Sequence, residues 1–417
     1  MNKDIVILGA GVIGLSTAYY CSLRGHRVTV VDRSPEERDG CSFGNAGMIV
    51  PSHFIPLAAP GMVALGLKWM LNPESPFYIK PRLDWGLMDW GMKFWKAATP
   101  GHVTKSAPLL RDLSLASRAC FEELATLTKN DFGLATRGLL MLCKTEKALE
   151  EEGAMAETAR LLGVPAEVLG REQTAKMDPS VRMEVAGSVY FPKDCHLVPQ
   201  KFMRTLKHLL DARGVQFVWD KSFESWGKVG SKVKNIKASN QEISGDEFVL
   251  CGGVWSSEIG AQLGLKLPMQ AGKGYSLTMP QPPVLPELCS ILVEARIAVT
   301  PMNSSLRVGG TMEMSGVNLD VNPSRIRGIV RAFPKYFPDF GEKDFAGIRP
   351  WRGLRPCSPD GLPYIGRTKK YDNVTVATGH AMMGLSLGPI TGRLVSEILT
   401  DGKPSLDIGL LHPDRYA

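Results

Sequence analysis

Apolar residues along this chain fall into short blocks, and the blocks differ in kind. Ile5 to Leu8 are four consecutive branched apolar residues, the pattern of a strand buried on both faces. From Val12 to Arg24 the apolar positions recur with helical spacing, and Gly25 offers a stop. HRVTVVD then returns to strand and ends on Asp32. Residues 138–163 read as a strand followed by an amphipathic helix, residues 197–220 as a helix followed by a strand, and residues 249–264 as strand, Gly-Gly turn and helix. GYSLTM, RIAVTPM and LRVGGTMEM alternate as the strands of an antiparallel sheet do. NVTVATG reads as a buried strand entering a glycine turn, and LGPITGRLVSEIL as a helix with Pro389 in its first turn, where a proline is tolerated. The pattern predicts an α/β chain, α+β overall, with one Rossmann-like unit and a second, mostly antiparallel sheet.

The break between the first strand and the first helix is Gly9-Ala10-Gly11-Val12-Ile13-Gly14, a G-x-G-x-x-G. Glycine costs about 0.5–1 kcal/mol against alanine inside regular structure, so three of them in an apolar run need a reason. Gly9 suits a tight turn, Gly11 a close approach of backbone to a pyrophosphate, and Gly14 close packing of helix on sheet. The helix start supplies free N–H groups and partial positive charge. Asp32 lies 18 positions beyond Gly14, where it can accept hydrogen bonds from both ribose hydroxyls and disfavours a 2′-phosphate. Dinucleotide binding follows; the motif leaves FAD and NAD open.

Composition narrows the partners. The chain has 417 residues, 44% of them hydrophobic and 22% charged, with a net charge of +7. It is long enough for two or three domains. Its basic residues form no clustered, aromatic-lined groove, which argues against nucleic acid and suits an anionic cofactor, substrate or membrane surface. The eight cysteines include no C-x-x-C pair, which predicts a reducing, cytoplasmic setting with no metal site. No segment has 18 consecutive apolar residues, and no signal-peptide cleavage site follows the first apolar run.

Three further stretches carry a resemblance: CSFGNAGMIVPSH at 41–53, WRGLRPCSPDGLPYIG at 351–366, and NVTVATGHAMMGLSLGPITGRLVSEIL at 373–399. With the N-terminal motif they resemble the FAD-dependent amine and amino acid oxidoreductases of the D-amino acid oxidase superfamily. The nearest branch is bacterial D-amino acid dehydrogenase, including D-hydroxyproline dehydrogenase-like members. The resemblance implies non-covalent FAD. It implies a cofactor site formed by Gly9, Ala10, Gly11, Val12, Ile13, Gly14, Asp32, Arg33, Ser42, Asn45, Ala46, Gly47, Met48, Gly252, Gly253, Gly353, Gly379, His380, Met382, Gly384 and Leu385. The helix start near Pro389 would face the flavin edge where negative charge collects on reduction.

The same resemblance gives Arg355, in G-L-R-P, the role of clamping the substrate carboxylate, for which a guanidinium offers a matching two-pronged donor. Tyr275 would donate a second hydrogen bond or cover the pocket, or else pack as a core tyrosine. His53 would assist loss of the amine proton, or else be satisfied locally. The expected reaction is oxidative deamination: hydride passes from Cα to flavin N5, and the imine hydrolyses to a 2-oxo acid and ammonia. Electrons then go to a quinone or another non-oxygen acceptor. D-proline or D-hydroxyproline dehydrogenation, or a glycine/sarcosine-type oxidase using oxygen, are the alternatives.

The expected division is a discontinuous FAD-binding domain of residues 1–52, 196–265 and 346–417, and a substrate domain of residues 53–195 and 266–345. Between Gly61 and His102 lie Trp69, Trp85, Trp90 and Trp95 with Lys68, Lys80, Arg82, Lys93 and Lys96 among them. They read either as helices packed over the substrate domain or as a patch for peripheral contact with the inner membrane.

Overall fold

The computed structural model describes residues 2–70, 72, 74–400 and 402–417. Strands from three distant parts of the chain assemble a six-stranded sheet in the order Tyr364–Arg367, Val374–Thr378, Glu247–Leu250, Asp4–Leu8, Arg27–Val31 and Gln216–Val218. Five run parallel, and Tyr364–Arg367 pairs antiparallel at one edge. Asp4–Leu8 lies centrally, with Ile5 opposite Glu247 and Val28, and its apolar run is covered on both faces, Ile5 and Ile7 in one core cluster and Val6 and Leu8 in another.

The helices Val12–Leu23 and Gly388–Leu399 cross closely over this sheet. Their contact depends on glycine: a Cβ on Gly392 would fall 2.4 Å from the Ser16 carbonyl carbon, and one on Gly388 would fall 2.8 Å from Val12 Cγ2. Two helix N-termini are thereby brought side by side at Val12 and Gly388.

The second sheet has nine strands. Its path runs Trp351–Cys357, Gln270–Met279, Ser305–Met314, Ile297–Met302, Cys289–Leu292, Leu139–Cys143, Gly187–Phe191 and Glu167–Gly170, with Phe77–Ile79 beside Ser305–Met314. It is mainly antiparallel, with parallel pairings where Cys289–Leu292 meets Leu139–Cys143 and where Phe77–Ile79 joins. A three-stranded sheet (Phe223–Val229, Lys232–Ala238, Gln241–Ser244) packs Trp226, Val233 and Ile236 against the back of the first sheet.

Two contacts cross the expected domain limits. Trp351–Cys357 pairs with Gln270–Met279 and is an edge strand of the nine-stranded sheet. The long helix Pro100–Leu127, assigned to the substrate domain, packs on Gly388–Leu399 of the first unit, burying Leu110, Leu113 and Phe121 in its core.

Candidate active site

The turn after Asp4–Leu8 is closed to side chains. Gly9 has a φ of 108°, and a Cβ on it would sit 2.5 Å from the Cys251 carbonyl oxygen. A Cβ on Gly14 would sit 1.8 Å from the Gly9 carbonyl oxygen. Gly11 caps the helix without a side chain, and the Val12 N–H donates to Ser42 Oγ at 3.0 Å. Asp32 accepts from the Ala10 N–H at 2.6 Å and the Ser34 N–H at 2.8 Å. Arg33 stacks 3.5 Å from the Trp255 ring centroid. Gly253, with a φ of 58°, faces open space at its Cβ position, and its carbonyl accepts from Thr378 Oγ1.

Gly379, with a φ of 78°, turns the chain from Val374–Thr378 into the loop before Gly388. His380 follows, its Nε2 3.0 Å from Thr391 Oγ1 and its Nδ1 buried without a partner. Burial pushes this imidazole down to about 3, so it is neutral. Leu385 is buried in the core, Gly384 is half-buried and Met382 is 54% exposed.

These features fit FAD. A glycine cradle no Cβ can enter, two adjacent helix starts without side-chain caps, a strand-end carboxylate and an orphaned imidazole nitrogen suit an anionic, hydrogen-bonding group.

The nine-stranded sheet presents a second group of residues. In its register Gly272 opposes Arg355, Gly274 opposes Gly353 and Ser276 opposes Trp351, so these six share one face. The Arg355 guanidinium lies directly over Gly274, where a Cβ would be 2.3 Å from Nη2. Arg355 Nη1 donates to the Thr311 carbonyl at 2.7 Å. Thr311 holds a φ of 64°, unusual for a β-branched residue, beside the register shift between Lys273 and Tyr275. Burial lowers the pKa of Arg355, and its electrostatic neighbours are the thiols of Cys41 and Cys357. Among the described residues no carboxylate pairs with it. Arg355, Cys41 and His53 each keep some accessible surface although they lie deep in the protein, as groups lining an internal cleft do.

The 41–47 loop is pinned across this face. Arg307, 4% exposed, donates to Thr278 Oγ1 and to the Phe43 and Asn45 carbonyls at 3.0, 3.2 and 2.8 Å. Ser276 Oγ donates to the Gly44 carbonyl and Thr300 Oγ1 to that of Ala46. Asn45 closes the bend itself, accepting from the Gly47 N–H and donating to the Ser42 carbonyl. Gly47 has a φ of 72°, and Met48 beyond it pairs with His196. The Trp351 ring covers both Gly44 and Gly353, leaving no room for a Cβ on either.

Tyr275 is not in this group. It lies one residue out of phase with Gly274, on the opposite face, and its hydroxyl donates to Glu313 Oε2 at 3.0 Å while accepting from the Asn322 N–H. There it joins a buried cluster in which Lys273 Nζ sits 3.3 Å from Glu313 Oε1 and donates to Asn318 and Asp320. Of the two readings of Tyr275, these partners are those of a core tyrosine, and alternation from Gly274 along an unbroken pairing with Trp351–Cys357 sets its face. His53 is bonded through Nδ1 to Ser52 Oγ at 2.9 Å. Burial and then the charge of Arg296 push it down to about 4.

Sequence reasoning missed Arg307, Thr311, Trp351 and Cys41. The signals for Arg307 and Trp351 were present: a charged residue inside an alternating apolar strand, and a tryptophan two positions before Gly353, hence on its face. Nothing local marks the backbone of Thr311.

The sequence matches the family described as DAO, FAD dependent oxidoreductase, over residues 4–398. It is 33% identical over 422 residues to a D-amino acid dehydrogenase of Bradyrhizobium diazoefficiens, covering 99% of each chain. It is 31% identical over 418 residues to a D-amino acid dehydrogenase of Granulibacter bethesdensis, again covering 99% of each. Glycine oxidase from Geobacillus kaustophilus shares the fold with a TM-score of 0.80 at 22% identity, over 100% of this chain and 99% of that one.

Proposed function

Because the chain belongs to the FAD-dependent oxidoreductase family, we propose that it oxidatively deaminates D-amino acids through an imine to the 2-oxo acid and ammonia. The observation that carries this reading is Arg355: a deeply placed guanidinium facing a cleft, with no carboxylate paired to it among the described residues. An unpaired buried charge costs several kcal/mol, and a carboxylate ligand is the partner that removes the cost.

FAD would be held non-covalently by the Gly9–Gly14 turn, Asp32, the 42–48 loop, Gly252, Gly253, Gly353 and the 379–385 loop. When bound, it supplies the two-electron acceptor for hydride leaving the substrate Cα. The protein's share is placement. Thr311 fixes one edge of the Arg355 guanidinium, and Gly274 leaves it room to lie flat. Holding a substrate in one reactive geometry is worth about 7–11 kcal/mol in ideal cases. His53, neutral over the working pH range, offers a ring nitrogen for the substrate amine proton.

The electrons pass to a quinone at a membrane surface. The helix Trp85–Ala97 supports this. Its inner side buries Trp90, which donates to the Cys357 carbonyl at 2.8 Å and stacks on Phe94. Its outer side exposes Trp85, Met88, Met92 and Trp95, one helical stripe, with Leu83 beside them and Lys93 and Lys96 on the same helix. Apolar anchors with basic flanks suit an anionic headgroup layer. No helix among the described residues is long and apolar enough to cross a membrane.

An anaerobic screen of both enantiomers of several amino acids, read as loss of flavin absorbance, tests the substrate class. Comparing peroxide yield with dye reduction during turnover separates a dehydrogenase from an oxygen-using oxidase.

A further inference from the structure

Ser52 stands between two titratable groups from different parts of the chain. Its hydroxyl donates to Asp194 Oδ2 at 2.5 Å, its backbone N–H donates to Asp194 Oδ1 at 3.0 Å, and its Oγ lies 2.9 Å from His53 Nδ1. Asp194 is fully buried, next to the short antiparallel pairing of Met48–Ile49 with Cys195–His196 that brings it under the 48–53 segment. A serine hydroxyl has one proton to give. When it gives that proton to an ionised Asp194, it can only accept from His53, so Nδ1 carries the ring proton and Nε2 is left with a lone pair. When Asp194 is protonated and donates to Ser52, the hydroxyl turns to His53 Nδ1 and the ring proton sits on Nε2.

We propose that Asp194 and Ser52 are positioning residues for His53, setting which of its ring nitrogens carries the proton and so whether it can accept a proton in the cleft. The proposal rests on the amino acid oxidation proposed above, in which the substrate amine must lose a proton before Cα is oxidised. The hydrogen-bonded chain involves no metal and no net redox change: one proton enters or leaves at Asp194, and the imidazole stays neutral throughout.

The surroundings put the switch in a useful range. Burial pushes the Asp194 carboxyl up to about 7, against the hydrogen bonds from Ser52 and the charge of Arg118, which faces it from the helix Pro100–Leu127. The thiols of Cys195 and Cys289 also face it, and burial raises both far enough to keep them neutral. His53 faces Arg296 and is pushed down to about 4, so it does not itself titrate near neutrality. Above the Asp194 midpoint Nε2 is an acceptor; below it Nε2 is a donor and cannot take the amine proton.

The test uses the FAD-loaded enzyme with 15N-labelled histidine. The chain has seven histidines, and His53→Gln assigns the relevant ring signals. The expected result is a neutral His53 protonated on Nδ1 at pH 8 and on Nε2 at pH 6, and a single tautomer at both pH values in Asp194→Asn. In parallel, the rate of flavin reduction by substrate is expected to fall about tenfold per pH unit below the midpoint in the wild type, and to lose this limb in Asp194→Asn. Should Asp194→Asn fail to fold, Ser52→Ala cuts the chain and is expected to abolish the switch, while Ser52→Thr, which keeps the hydroxyl, restores it. One unchanging His53 tautomer in the wild type, or a switch that persists in Asp194→Asn or Ser52→Ala, overturns the proposal. Absence of reduction by any amino acid would instead remove the substrate assignment, and the tautomer measurement would still decide the role of Asp194.

Discussion

The guanidinium of Arg355 occupies the space that a side chain on Gly274 would fill, with Nη2, Cζ and Nη1 all within 2.4 Å of the missing Cβ. The pairing of Gly274 with Gly353 places both glycines on the face that carries Arg355 and Trp351. The atoms in the way belong to the far end of a flexible side chain, so Gly274→Ala is expected to fold and to displace the arginine. Steady-state kinetics should then show KM raised at least tenfold with the flavin spectrum unchanged. Unaltered KM would mean that the guanidinium does not need this position.

The dinucleotide turn makes a contrasting prediction. The obstacle to a Cβ on Gly14 is the backbone oxygen of Gly9, 1.8 Å away, which no rotamer change relieves. Gly14→Ala is expected to open the turn, so the purified protein should emerge with little bound flavin and a lower Tm. Full flavin occupancy in that variant would contradict the assignment of this turn to the cofactor.

This division mirrors what the amino-acid sequence reveals unaided. The turn at Gly9–Gly14 and the strand ending at Asp32 are legible because their spacing is local to one βαβ unit, although the backbone that crowds Gly9 comes from Cys251. The position of Arg355 in G-L-R-P is legible through resemblance. The partners of Tyr275 are not, because a register shift between Lys273 and Tyr275 on Gln270–Met279 resets its pairing with Ser305–Met314. Nor is the membership of Trp351–Cys357, whose partner strand lies some eighty residues earlier (351 and 270). Long-range pairing decides both, and no periodicity within either segment encodes it.

A stability prediction follows from the buried carboxyl of Asp194. Its pKa in the fold, about 7, lies above that of an unfolded aspartate. The fold therefore binds this proton more tightly than the unfolded chain, and stability falls as pH rises from about 4 towards 7. Each pH unit in that window is worth about 1.4 kcal/mol. Asp194→Asn can accept from the Ser52 N–H and donate to its hydroxyl, as the protonated acid does, but cannot ionise, so its Tm relative to wild type is expected to be higher at pH 8 than at pH 5. A constant difference across that range would show that Asp194 does not titrate there.

Arg415 and Asp360 form a paired-donor contact, with Nε to Oδ2 at 2.7 Å and Nη2 to Oδ1 at 3.0 Å. The guanidinium also serves the carbonyls of Leu362 and Pro363 and lies 3.9 Å from the Tyr364 ring centroid. Both side chains of the pair are mostly buried. Arg415→Ala leaves a buried carboxylate alone and is expected to cost about 3–5 kcal/mol, read as a lower denaturant midpoint. A change under about 1 kcal/mol would mean the pair is well solvated.

The exposed stripe on Trp85–Ala97 is tested with vesicles. Trp85→Ser combined with Trp95→Ser removes two anchors that touch nothing in the fold's core and is expected to weaken binding to anionic vesicles at low salt at least tenfold. Rates with a soluble dye should stay unchanged. Equal binding by variant and wild type, or no binding by either, contradicts the assignment of this surface to lipid.

The most direct test of the central claim is an anaerobic titration of the flavin-loaded enzyme with a D-amino acid, followed as loss of flavin absorbance, in wild type and in Arg355→Lys. A lysine keeps the charge but loses the planar pair of donors that match a carboxylate. The expected result is bleaching of the wild type by the D enantiomer, and bleaching of the variant only at concentrations roughly a hundredfold higher or more, about 2.7 kcal/mol, with flavin fully retained. Identical titration curves for the two proteins, or a wild type that no D-amino acid bleaches, would contradict it.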